Sequence, residues 1–218
     1  MKGAFVVIEG IDGCGSTTQS LLLATRLRER GTEVVTTCEP TPGPVGELIR
    51  RALRHGLTDS GGDPRRLDWA TLALLFAADR LDHNHAVIEP ALRAGRVVIS
   101  DRYYLSSLAY QTATAPGGEG VLPWIRGLNA RARRPDLTIV IDVDADVAER
   151  RRRDRGAAAE LFEVDELQRR LADTYRRAED LVEQDRVVHV SGEGPEEAVG
   201  REILAAFDQH FAAAAPWR

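Results

Sequence analysis

Two cysteines, Cys14 and Cys38, are all that 218 residues contain. That is too few for a disulfide scaffold, and their spacing does not suit a metal site. No stretch approaches the ~18 consecutive apolar residues of a membrane-spanning helix. The opening run "MKGAFVVIEG" is too short for a secretory apolar region and is interrupted at Glu9. Positive charge is not in surplus either: the net charge is −5 and the pI is near 5.6. This argues against nucleic acid and anionic membranes as partners, while leaving room for a local basic pocket. There is no internal repeat and no linker that would split the chain. The expectation is a single reduced, cytoplasmic domain over residues 1–218. At 43% hydrophobic and 29% charged, it is long enough to bury a substantial core.

Short β-branched runs are present instead. "AFVVIE" (4–9), "EVVTT" (33–37), "RVVIS" (96–100), "DLTIVIDV" (136–143) and "RVVHVS" (186–191) read as strands. Helical spacing fills the intervals: 17–30 up to Gly31, 45–54, one or two helices over 66–94 up to Gly95, 103–112, 121–131, 145–154, 164–184 and 195–213. Strands alternating with helices predict βαβ units. The fold class is therefore α/β: a three-layer sandwich with a five-stranded parallel sheet and helices on both faces. Ligands in such sheets bind at the carboxyl ends of the strands. The loops after positions 9, 37, 100, 142 and 191 are thus the ones that matter.

The first of these loops, "GIDGCGSTTQ" (10–19), follows a strand and opens a helix, as a P-loop must. Gly10 and Gly15 hold the glycine positions and Thr17 the hydroxyl position. Gly13, Cys14, Ser16 and Thr18 complete a cradle whose backbone N–H groups favour phosphate through the helix dipole. Ser16 stands where the pattern requires lysine. Asp101 and Arg102 end the third strand, where a carboxylate can hold Mg²⁺ and a guanidinium can grip a phosphate bidentately. Glu39 ends the second strand, before a proline-rich turn and a helix carrying Arg50 and Arg51. Phe76 and Arg80 are four apart on one helix face. Arg150, Arg151, Arg152, Arg153 and Arg155 cluster before a Gly-Ala stretch, and about residues 150–163 could form a lid over a polyphosphate. Taken singly, each stretch also has a plainer reading: an incidental turn, a surface ion pair, a core phenylalanine, a solvated basic helix.

Together, "EGIDGCGSTTQ", "EPTPGPVGELIR", "LLFAADRLDH", "VVISDRYYLSSLAYQ", "RPDLTIVIDV" and the arginine run before "LFE" resemble the thymidylate kinase family. They stand in family order over roughly residues 4–165. The resemblance implies phosphoryl transfer from ATP to dTMP with Mg²⁺, in a homodimer. It implies Asp12 on the sugar 3′-hydroxyl, Phe76 stacked on the base, and Arg80, Ser107 and Gln111 at its edge, with Tyr110 near the sugar. It places Arg50 and Arg102 on the acceptor phosphate, and Glu39 and Asp101 around Mg²⁺. It sets Arg150 against adenine, and Arg153 and Arg155 on the transferred phosphate.

Three departures remove positive charge from the phosphate track: Ser16 for lysine, Cys38 for arginine before Glu39-Pro40, and Leu161 for a lid arginine. They leave three readings open: an active dTMP kinase, a nucleotide-binding protein without activity, or a kinase for a modified pyrimidine monophosphate.

Overall fold

A computed structural model describes residues 3–155, 162 and 165–211. The chain runs β1 (Ala4–Glu9), α1 (Ser16–Glu29), β2 (Val34–Cys38), α2 (Pro44–Leu53) and α3 (Trp69–His83). A π-helical turn, Asn84–Ile88, leads into α4 (Glu89–Arg93). Then come β3 (Val97–Asp101), α5 (Tyr104–Thr114), a 3₁₀ turn (Gly118–Val121), α6 (Leu122–Asn129), β4 (Leu137–Asp142) and α7 (Ala145–Arg155). The chain closes with α8 (Asp165–Tyr175), α9 (Ala178–Leu181), β5 (Val187–Ser191) and α10 (Glu196–Phe211).

All five strands are parallel, in the order β2-β3-β1-β4-β5. β1 is buried along its whole length, as a central parallel strand with both faces covered must be. Its alternate side chains feed two cores. Ala4, Val6 and Ile8 join Leu23, Leu27, Ile139 and Ile203 on one face, while Phe5 and Val7 join Ile88, Leu92, Val98 and Tyr103 on the other. This is the three-layer arrangement expected from the alternating pattern.

The register brings the strand ends into one row. Ile8 lies beside Asp101, and Asp101 beside Cys38. The loops after β1, β2 and β3 therefore emerge together. Two expected helices differ in detail. The 66–94 region starts only at Trp69, capped by the Asp68 carboxylate on the Thr71 N–H. The expected helix over 164–184 breaks at Arg177 (φ −121°, ψ 36°) into α8 and α9. Among the described residues, no helix is long and apolar enough to cross a membrane.

Candidate active site

Two cavities open along this row of strand ends. The larger, about 680 Å³, surrounds the P-loop residues Asp12–Gln19 and is bounded by Arg54, Asp101, Arg102, Arg151, Gly192, Gly194, Glu196 and Val199. The smaller, about 130 Å³, is lined by Asp12, Glu39, Pro40, Leu53, Phe76, Arg80, Arg102, Tyr103, Ser106, Ser107, Tyr110, Gln111 and Phe162. Asp12 and Arg102 belong to both and form the partition between them.

The P-loop bends as its glycines allow. Gly13 has φ +95°, and a Cβ there would stand 2.4 Å from the Ala148 carbonyl oxygen, so α7 packs directly onto the loop. Gly15 caps α1 in the left-handed region, and Ser16 is buried as the first helical residue. Cys14 is 3% exposed, and burial pushes its thiol up to about 11. Thr17 Oγ1 donates to Asp101 Oδ2. The second Asp101 oxygen, Oδ1, is buried with no hydrogen-bond partner among the described residues. A buried, unpaired carboxylate oxygen beside a hydroxyl suits a hard divalent cation that takes its remaining oxygens from phosphate and water. Thr17 and Asp101 thus fit Mg²⁺.

Arg102 is a non-glycine residue at φ 69°, a conformation that costs about 1–3 kcal/mol and persists only where its surroundings enforce it. Its backbone N–H donates to Ile8 O (2.9 Å). Its guanidinium donates to Gly10 O (2.8 Å), Ser106 Oγ (3.1 Å) and Asp12 Oδ1 (2.6 Å), above the Tyr110 ring. Asp12 is held from the other side by Gln168. Gln168 Nε2 donates to Asp12 Oδ2 (2.9 Å), and its Oε1 accepts from the Asp12 N–H (3.1 Å). Arg152 adds a donation to the Asp12 carbonyl (2.5 Å). Below the partition, Glu9 is fully buried and accepts from the Tyr103 and Ser106 N–H groups, Ser106 Oγ and Tyr175 Oη. Burial raises its carboxyl above the usual range, against the opposing pull of Arg102.

The smaller cavity is built around Arg80, 1% exposed. Its guanidinium donates to Glu39 Oε2 (2.8 Å from Nε), to Ser107 Oγ (3.0 Å) and to Asn129 Oδ1. His83 Nδ1 lies 3.0 Å from Glu39 Oε1, and its Nε2 lies 2.7 Å from Thr37 Oγ1. Asp79 accepts from the Thr41 N–H (2.8 Å) and hydroxyl (2.6 Å), which fixes the turn above. Gln111 Oε1 is buried with no hydrogen-bond partner among the described residues, an acceptor waiting for a donor. Phe76, Tyr110 and Phe162 supply aromatic wall, with Tyr110 and Phe162 rings 5.5 Å apart.

Several expected residues are placed differently. Glu39 was expected beside Asp101 on a metal. Instead both its oxygens are taken by Arg80 and His83, because those cationic and polar groups share its buried pocket. Arg50 lines neither cavity. It donates to the Pro40 (2.5 Å) and Thr41 carbonyls and so braces the turn after Glu39. Arg150 is exposed and outside both cavities. Arg151, one residue on, lines the P-loop cavity and bridges Gly192 O (2.8 Å) and Cys14 O (3.5 Å). Arg153 is 74% exposed in a one-turn ion pair with Glu149. The Arg155 side chain and Leu161, with most of the expected lid, lie outside the described residues. Gln168, Arg54 and Asn129 were not anticipated, and Arg152 was expected only as one of the lid arginines, not on the Asp12 carbonyl. Arg152 was hidden inside a run of four arginines. Gln168 could have been noticed as the polar residue on the apolar stripe Leu171–Ala172–Tyr175 of α8.

Comparison with known proteins identifies the family. The profile of the family described as thymidylate kinase matches residues 8–203. A probable thymidylate kinase of Thermococcus gammatolerans is 41% identical over 209 residues, covering 96% of this chain and 98% of the relative. One from Pyrococcus horikoshii is 42% identical over 189 residues, covering 87% and 89%. A thymidylate kinase of Ruegeria pomeroyi is 42% identical over 171 residues, covering 78% of each. With a P-loop cavity and a smaller pocket joined at Asp12 and Arg102, a family profile matched over residues 8–203 and relatives about 40% identical over most of their length, this chain belongs to the thymidylate kinase family.

Proposed function

We propose that this protein transfers the γ-phosphoryl group of ATP to dTMP, giving dTDP and ADP. One observation carries the reading: two cavities of different chemistry meet at a shared Asp12–Arg102 wall. The P-loop cavity offers backbone N–H groups at the start of α1, which suit a polyphosphate. The smaller cavity offers an aromatic wall, the buried Arg80 and the buried Gln111 acceptor, which suit a pyrimidine with both an acceptor and an N–H edge. Leu53, Phe76 and Phe162 make the apolar surface that a 5-methyl group would fill.

An oxygen of the acceptor monophosphate forms the new bond to the γ-phosphorus. The bond to the β,γ-bridging oxygen breaks, and its electron pair leaves with ADP. The attacking oxygen is already anionic, so no strong general base is needed, and the residues act by alignment and charge neutralisation. Arg102 stands between the cavities, where both phosphates would meet, and Asp12 orients it. Thr17 and Asp101 would hold Mg²⁺, which neutralises phosphate charge when bound. Glu39 acts on Arg80, as a positioning residue. Arg151 ties the P-loop to the Gly192 turn on the side where the donor base would sit, a role first expected of Arg150. Arg153 and Arg155 remain candidates for lid closure over the transferred group.

The chain works as a homodimer in this reading. Leu74 and Leu81 lie seven apart on α3 and are 51% and 40% exposed. Leu48 on α2 and Trp124 on α6, whose helices pack on α3, are also exposed. The reduced Cys14 and Cys38 suit a cytoplasmic location.

The test is ADP release with ATP, Mg²⁺ and a panel of dTMP, dUMP, dCMP and dGMP. We expect dTMP to lead. The 5-methyl group should favour dTMP over dUMP by roughly 10- to 200-fold in kcat/KM, the range for one methyl group in an apolar pocket. No turnover on any acceptor by folded protein would remove the reading.

A further inference from the structure

Between residues 3 and 218 the only permanently cationic side chains are arginines. Arg54, Arg102 and Arg151 line the P-loop cavity, and the sheet order sorts them. β1 and its P-loop stand at the centre. Arg151 is bound to Gly192 O, beyond β5, and so belongs to one end of the cavity. Arg102 follows β3 and forms the partition with Asp12. Arg54 caps the C-terminus of α2, which follows β2 at the opposite edge of the sheet.

The chain crosses from one cavity to the other at this point. Leu53 lines the smaller cavity and Arg54, the next residue, lines the larger. Arg54 also follows Arg50 by one helical turn on the same face of α2. Arg54 therefore lines the P-loop cavity next in sequence to a residue of the smaller cavity, on a helix that follows the edge strand opposite the Gly192 end. The junction of the two cavities is where the terminal phosphates of a donor must lie for its last phosphorus to face the acceptor. An arginine there can grip phosphate oxygens bidentately.

We propose that Arg54 binds the terminal phosphates of the donor nucleotide and supplies the positive charge that Ser16 does not. This rests on the kinase reading above and adds a residue that neither the P-loop pattern nor the arginine-rich run contains.

The experiment uses the full-length chain, its Arg54→Gln, Arg54→Lys and Ser16→Lys variants, and the Arg54→Gln/Ser16→Lys double variant. Calorimetric titration with Mg²⁺ compares β,γ-imido-ATP with AMP. Arg54→Gln should weaken the imido-ATP by about 10-fold or more and change AMP by less than about 3-fold, with Arg54→Lys intermediate. In the Ser16→Lys background the Arg54→Gln loss should shrink to less than about 3-fold, because the restored lysine covers the same charge. Unchanged imido-ATP affinity in Arg54→Gln, or equal losses in both backgrounds, would overturn the inference. Circular dichroism confirms that each variant is folded. The binding arm does not need turnover. If dTMP is not phosphorylated but the imido-ATP loss appears, the kinase reading fails and this one stands. If dTMP is phosphorylated and the loss is absent, only this one fails.

Discussion

The two halves of the site are built on different principles. The smaller cavity depends on side chains from several elements, locked into one buried network: Glu39, Arg80, His83, Ser107 and Asn129. The P-loop cavity depends on backbone: N–H groups of a glycine-rich turn, fixed by the packing of α7. A backbone cradle survives the loss of one side chain, because its amides remain in place. A buried ionic network does not, because each removal strands a partner.

The largest expected effect breaks the acceptor side. Glu39→Gln leaves the Arg80 guanidinium buried without its counter-charge, and loss of one partner in such a pair costs about 3–5 kcal/mol of stability. Urea unfolding should show it, together with weakened dTMP binding. On the donor side, Gly13→Ala forces a Cβ against Ala148 O at a positive φ. We expect loss of ATP affinity with dTMP affinity retained, read by separate titrations, which would show that the cavities can be damaged independently.

Asp101→Asn should lower turnover by roughly 10²–10³, the scale for removing one preorganised electrostatic group, with little change in melting temperature. A large stability change there would blur the distinction, since Asp101 would then be structural. The smallest effect concerns Cys14. Burial holds its thiol protonated until the pH approaches about 11. In folded protein at pH 8, iodoacetamide should leave Cys14 unmodified by mass spectrometry, while urea exposes it to alkylation.

Much of the fold was readable from local pattern. β-branched runs of five or six residues separated by helical spacing gave all five strands within a residue or so, because each buried parallel strand is apolar on both faces. The break at Arg177 was not readable, since nothing in "TYRRAED" differs locally from a continuing helix. In the site, the loop glycines, whose part is a matter of backbone, take the bends that the pattern predicts: Gly13 and Gly15 both have positive φ. Roles that depend on which neighbour a long side chain reaches were not readable. Glu39 turns to Arg80 and His83, and Arg50 to two carbonyls. Adjacent residues in an arginine run divide between cavity (Arg151), core (Arg152) and solvent (Arg150, Arg153). Helical rotation of about 100° per residue separates these fates, and the sequence does not mark which arginine faces the cleft.

The central claim, that the two cavities are donor and acceptor halves of one transfer site, is tested most directly by product analysis. The wild-type chain is incubated with ATP, dTMP and Mg²⁺, and the nucleotides are separated and quantified. We predict dTDP and ADP in equal amounts, both dependent on dTMP. ADP without dTDP, or no product from a folded chain that binds both nucleotides, would contradict it.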